Sequence, residues 1–140
     1  MKAVYLRSLK KGKMVMSLET IYLKSDSAFS TQLSEWASTL GVKTEQYDFK
    51  SDEISVDGLL VINANQDIDK DTEEVHAFFD LKHFPTQKVD VNGTLQVAVS
   101  NFQNWMRNFK CKNILILGSD DLINNENLDR FLQRASSIKL

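Results

Sequence analysis

The chain has 140 residues, 42% hydrophobic and 26% charged, and a net charge of −2. That balance describes one globular domain able to bury roughly two-thirds of its unfolded surface, with no basic field to recruit nucleic acid or an anionic membrane. The single cysteine, Cys111, excludes an intrachain disulfide and a thiolate zinc cluster, and no apolar run reaches the ~18 residues of a membrane span.

Residues 1–18 stand outside the pattern that follows. They carry Lys2, Arg7, Lys10, Lys11 and Lys13 without a continuous apolar stretch, so they do not read as a signal peptide, and the expected location is the cytoplasm. They are expected to form an N-terminal extension or an edge hairpin peripheral to the core, before a single domain over 19–140. "TIYLKS" (20–25) is β-branched and apolar, as a strand requires. In "SAFSTQLSEWASTL" (27–40), Phe29, Leu33, Trp36, Ala37 and Leu40 share one helical face. Gly41 stops that helix, because glycine takes the left-handed conformation at little cost. "VKTEQYDF" (42–49) alternates as a strand with one wet face, and "GLLVIN" (58–63) is a continuous apolar run, the mark of a strand covered on both sides. The link between them is too short for a normal crossover helix.

"DTEEVHAFF" (71–79) predicts a helix with Asp71 and Glu74 as a capping pair and Val75, Phe78 and Phe79 inward. The next stretch carries conflicting signals. Asn92-Gly93 favours a hairpin, but Leu95, Ala98, Val99, Phe102, Trp105, Met106 and Phe109 keep helical spacing for four turns. The longer period decides for a strand at 87–91 and a helix at 94–109. "NILILG" (113–118) reads as a second buried strand. The last helix spans 124–136, with Asn124 as cap and Leu128, Phe131, Leu132 and Ala135 inward. Strands and helices that alternate in this way predict an α/β fold: a three-layer, doubly wound sheet of about five parallel strands, plus an extra N-terminal strand or hairpin.

In such a sheet a ligand lies beyond the carboxyl ends of the strands. The loops there supply Ser25, Asp26, Ser27 and Ser30, then Asn63 and Asn65, then Asn92 and Thr94, then Ser119. They lack basic residues, which favours a small neutral polar ligand or a hard cation over a bare phosphate. Asp26, Asp67, Asp120 and Asp121 could meet around magnesium, but acids in such loops more often shape turns and cap helices, and no metal site is assigned. A phosphoacceptor receiver needs an aspartate ending its central strand and a lysine after its last, where Asn63 and Ser119 or Asp120 stand here. His76 and His83 have no partner at ligand spacing. There is no Gly-x-Ser-x-Gly elbow, and "ILILGSDD" has one glycine, short of a dinucleotide fingerprint. No catalytic residue is assigned.

The order of elements and the turn Ser25-Asp26-Ser27-Ala28-Phe29-Ser30 resemble the flavodoxin-like fold family over about residues 20–136. The resemblance implies strands in flavodoxin-like order and a turn that holds the phosphate of flavin mononucleotide. This chain departs from the motif in having Ala28 for its glycine, an acid at Asp26 and Phe29 where the residue is usually small. The loops at 63–67 and 92–94 have no aromatic ring to clamp a flavin. Locally, "VDGLLV" followed by "DIDKD" also resembles the substrate domain of methylenetetrahydrofolate dehydrogenases, but the tyrosine and lysine that family needs on its first helix are missing from "SAFSTQLSEWAS". The expected function is a non-catalytic binding or protein-interaction module. The alternative is a small-ligand or nucleotide (FMN) binder, with no cofactor otherwise identified.

Overall fold

The computed structural model describes residues 18–50 and 55–136. The strands are β1 (Thr20–Leu23), β2 (Lys43–Gln46), β3 (Gly58–Asn63), β4 (Thr86–Asp90) and β5 (Asn113–Leu117); the helices are α1 (Ala28–Leu40), α2 (Lys70–Leu81), α3 (Leu95–Phe109) and α4 (Glu126–Ser136), with a short 3₁₀ helix at Asp120–Asn124. The expected extension at 1–18 lies outside the described residues except for Leu18, which is buried in the main core.

All five strands are parallel, in the order β2-β1-β5-β3-β4. Ile21 is level with Ile114, and Leu59 with Leu115 on one side and Thr86 on the other. The order corrects the flavodoxin-like expectation, in which the third strand lies beside the first; here β5 separates them. The physical reason lies in the two apolar strands. Every residue of β3 is buried, as are the last four of β5. Both must therefore sit away from the edges, and they pair with each other.

Connections between parallel strands keep one hand, so the direction of travel across the sheet decides the face. The steps β1 to β2 and β4 to β5 run one way. Their helices α1 and α3 share a face with α4, and Phe29, Leu33, Trp36, Phe102, Trp105, Phe131 and Leu132 form the large core against Ile21, Leu60, Ile62, Ile114 and Ile116. The steps β2 to β3 and β3 to β4 run the other way. Tyr47, Val56 and Phe79 cover the second face, over Leu59, Val61, Leu115 and Leu117. The helices thus flank both faces, with α1, α3 and α4 on one and α2 on the other.

Most inward positions are where the periodicity places them. Gly41 ends α1 at φ 72°, and α3 runs as a helix rather than a hairpin. Four details differ. Asp69, not Asp71, caps α2, accepting the Thr72 N–H at 2.7 Å. Phe78 is 44% exposed, because α2 turns Phe79 and Val75, but not Phe78, onto the sheet. Phe109, the last residue of α3, is 54% exposed, past the edge of the core. Asn125 rather than Asn124 opens α4, its Oδ1 accepting the Asn127 N–H, since residues up to Asn124 form the 3₁₀ helix.

Candidate functional site

The hydroxyl-rich turn after β1 leads into the N-terminus of α1. A helix start leaves about four backbone N–H groups without intrahelical partners, and a phosphate at such a place binds through them. In this turn two of those donors, the Phe29 and Ser30 N–H groups, are already engaged. Ser27 is the N-cap, and its Oγ accepts the Ser30 N–H at 3.2 Å. Asp120, from the 3₁₀ helix after β5, reaches across to accept the Phe29 N–H at 3.0 Å and the Ser27 hydroxyl at 2.7 Å, both on Oδ1. These bonds hold the Asp120 carboxyl below its ordinary pKa of 3.8, the Ser27 hydroxyl most strongly, then the Phe29 amide, with smaller help from Lys24 and the Ala28 amide. The protein's own carboxylate takes the place an external anion would need.

Phe29 closes the turn from the other side. A Cβ built on Gly118 would lie 2.5 Å from the Phe29 ring, so the ring rests on bare backbone at the end of β5. The sequence marks Asp26 as the acid that departs from the phosphate-binding motif. Asp26 is exposed, with φ 53°, and Asp120 is the acid at the helix start. Its partners are 91 and 93 positions away, a pairing no local pattern reveals.

The sequence-selected residues separate into four places. Ser25, Asp26, Ser27 and Ser30 come together along an open cleft of about 570 Å³ between the first turns of α1 and the carboxyl ends of β1 and β2. Lys24, Thr31, Ser34, Glu35, Thr44, Glu45 and Gln46, none of them singled out from sequence, complete its polar rim. Asn63, Asn65 and Asn92 lie in a different set of loops, which brace one another. Buried Asn63 donates from Nδ2 to the Val89 carbonyl and accepts the Gln66 N–H. The Asn65 and Asn92 N–H groups both donate to Asp90 Oδ1, each at 2.9 Å. Asn92 Oδ1 accepts from Asn125 at 2.8 Å and Asn127 at 2.9 Å. Ser119 caps the 3₁₀ helix through the Asp121 N–H. Thr94 occupies the N-cap position of α3 without a side-chain capping bond.

No group of three or more histidine, cysteine or acidic side chains among the described residues could hold a metal ion; Asp26, Asp67, Asp120 and Asp121 do not converge. The resolved pKa shifts all move away from neutrality. Burial, with Asp57 nearby, pushes the Cys111 thiol up to about 11. Burial also raises the Tyr47 phenol, and the hydrogen bond to Glu45 raises Lys43. A general acid or base works best with a pKa near the operating pH, and none of these groups is moved toward that range.

No helix among the described residues is long and apolar enough to cross a membrane. In comparisons with known proteins, no family model, no curated protein and no solved structure matches this chain.

Proposed function

We propose that this chain is a non-catalytic binding module whose ligand-facing surface is the cleft beside the start of α1. The observation that carries the reading is the seat of Asp120. A turn with the hydroxyls of a phosphate loop has the Ser27 hydroxyl and the Phe29 N–H engaged by an internal carboxylate, while Ser25, Asp26, Thr31, Glu35, Glu45 and Gln46 along the neighbouring cleft are exposed. The braced asparagine loops support the same reading, since they make a rigid frame rather than a set of reactive groups. A cytoplasmic setting belongs to this proposal, consistent with a chain that has one cysteine.

Flavin binding fares worse on the same geometry. A phosphate near the exposed Asp120 would meet a like charge at ~4 Å, worth from ~1 kcal/mol in water toward ~4 kcal/mol at an effective dielectric of ~20, with the lower part of that range applying. The helix start returns ~0.3–1 kcal/mol, and its Phe29 and Ser30 N–H groups are engaged already. The test is the absorption spectrum of the purified protein together with calorimetric titration by flavin mononucleotide and inorganic phosphate. The expected result is a colourless protein with no measurable heat from either. Copurified flavin, or submicromolar flavin affinity, would overturn the proposal in favour of a flavin-binding protein.

A further inference from the structure

We infer that Asn92-Gly93 is a site of self-modification: the Gly93 nitrogen closes on the Asn92 side chain to form a succinimide, promoted by the side-chain amides of Asn125 and Asn127. None of these residues lines the cleft beside α1, and the reaction needs no ligand.

The dipeptide supplies the reacting atoms. Asn92 is the one asparagine of the chain followed by glycine. Both residues are exposed, in the loop between β4 and α3. Glycine has no Cβ, so its nitrogen can approach a group that a larger residue would shield. The Gly93 N–H donates to the Asp90 carbonyl at 3.3 Å, longer than an ordinary bond of this kind, so little holds it back. Asn92 Nδ2, the group that must leave, has no hydrogen-bond partner among the described residues.

The surroundings of Asn92 Oδ1 are the second observation. This oxygen accepts from Asn125 Nδ2 at 2.8 Å and from Asn127 Nδ2 at 2.9 Å. Each donor is fixed with its nitrogen toward Asn92, because its own oxygen is engaged. Asn125 Oδ1 accepts the Asn127 N–H at 2.9 Å, and Asn127 Oδ1 accepts from Arg130 at 3.1 Å. Attack at Asn92 Cγ turns the carboxamide oxygen into an oxyanion. Donors already seated on that oxygen stabilise the charge as it develops, as in acyl-transfer sites. The Asp90 carboxylate opposes that charge, but its Oδ1 is occupied by the Asn65 and Asn92 N–H groups. A frame with no group reactive toward a ligand is thus reactive toward its own backbone.

The atoms balance with water as the only co-reactant. The bond from Gly93 N to Asn92 Cγ forms, the Cγ–Nδ2 bond breaks, and the Gly93 proton leaves with Nδ2 as ammonia. Water then opens the imide at either carbonyl. One product carries aspartate at position 92. In the other the main chain runs through the side-chain carbons, lengthened by a methylene just before Thr94. Either product adds a negative charge beside Asp90.

The test incubates the full chain at pH 8 and follows the peptide carrying residues 92–93 by mass spectrometry, with aspartyl and isoaspartyl forms separated. Asn92 is expected to convert faster than every other asparagine of the chain. Gly93→Ala has room for its methyl, whose nearest neighbour is the Asp90 carbonyl at 3.5 Å. It is expected to slow conversion at least about tenfold, since the added carbon crowds the attacking nitrogen. Asn127→Ala decides the role of the donors. Losing one neutral hydrogen bond to the developing charge is expected to slow conversion about two- to tenfold. A network that merely restrains Asn92 gives the opposite sign, because the same change frees the side chain. Circular dichroism at each time point checks that both variants stay folded. Unchanged or faster conversion in Asn127→Ala overturns the proposal, as does a wild-type chain in which Asn92 stays intact.

Discussion

Removing the Asp120 carboxylate tests the central geometric claim, that this side chain caps α1. It accepts two hydrogen bonds on one oxygen, at 2.7 and 3.0 Å. Bonds to a charged group can reach ~1.5–3 kcal/mol each when buried, but Asp120 is exposed, so that scale is too large. The capping scale of ~0.5–2 kcal/mol applies, of which the charge against the helix start supplies ~0.3–1 kcal/mol. Asp120→Ala should therefore cost about 1–2 kcal/mol, and Asp120→Asn, which keeps an acceptor, about 0.5 kcal/mol. The pH dependence separates a cap from a generic surface effect. The folded carboxyl has a pKa below 3.8, the value expected when unfolded. Its ionised form thus stabilises the fold above that value, and the contribution is lost as pH falls through the lower folded value. Urea denaturation of both variants and wild type, from pH 7 down into the acid range, reads this directly. The wild-type and Asp120→Asn curves should differ at pH 7 and converge below 3.8. A gap that persists unchanged at low pH, or an Asp120→Ala variant as stable as wild type, refutes the reasoning.

Other residues give independent tests. Gly118→Ala puts a methyl 2.5 Å from the Phe29 ring and should cost ~1–3 kcal/mol, partly recovered by Phe29→Leu in the same chain; thermal melts of single and double variants check it. Trp105 is 3% exposed whereas Phe109 is 54% exposed. Trp105→Ala should lose about 3–5 kcal/mol while Phe109→Ala stays within about 0.5 kcal/mol, as read by urea midpoints. Because the Cys111 thiol is held up to about 11, native protein at pH 8 should react with a thiol reagent far more slowly than unfolded chain. Its raised pKa favours the fold while the thiol stays protonated, and that contribution is lost as pH rises through about 11.

The elements were legible because their signals are local. The period of Ala98, Val99, Phe102, Trp105 and Met106 outlasts the hairpin dipeptide at Asn92-Gly93, which ends up in the loop before α3. Strand order was not legible. GLLVIN and NILIL are equally apolar, and nothing within either strand says which neighbour it takes. The rotation of α2 was half legible: Phe78 and Phe79 are adjacent, about 100° apart on the helix, and the pattern admits both inward. In the fold only one ring is inward, and the other lies 5.8 Å from the Lys82 ammonium. At the site, Ser25, Asp26, Ser27 and Ser30 were readable as neighbours because they share one turn. Their partners on β2 were not, since only the finished sheet brings them there, and Asp120 was readable at this edge as an acid but not as the acceptor of the Ser27 hydroxyl and the Phe29 N–H.

The same point decides what the turn can bind. A run of serines after a first strand reports donors and acceptors, while an anion needs donors that are unoccupied. Asp120→Ala should vacate the Phe29 N–H and the Ser27 hydroxyl together, while Ser30 N–H stays with Ser27 Oγ. It also removes the nearest negative charge. At ~4 Å that charge is worth from ~1 kcal/mol in water to ~4 kcal/mol at an effective dielectric of ~20. Asp120 is exposed, so the lower part of that range applies, and the gain in phosphate affinity should be at least about fivefold. The readout is the Phe29 amide resonance during titration with inorganic phosphate, expected to shift in Asp120→Ala and to stay fixed in wild type. If phosphate moves the Phe29 amide equally in both proteins, the turn is open to anions as it stands, and Asp120 does not close it.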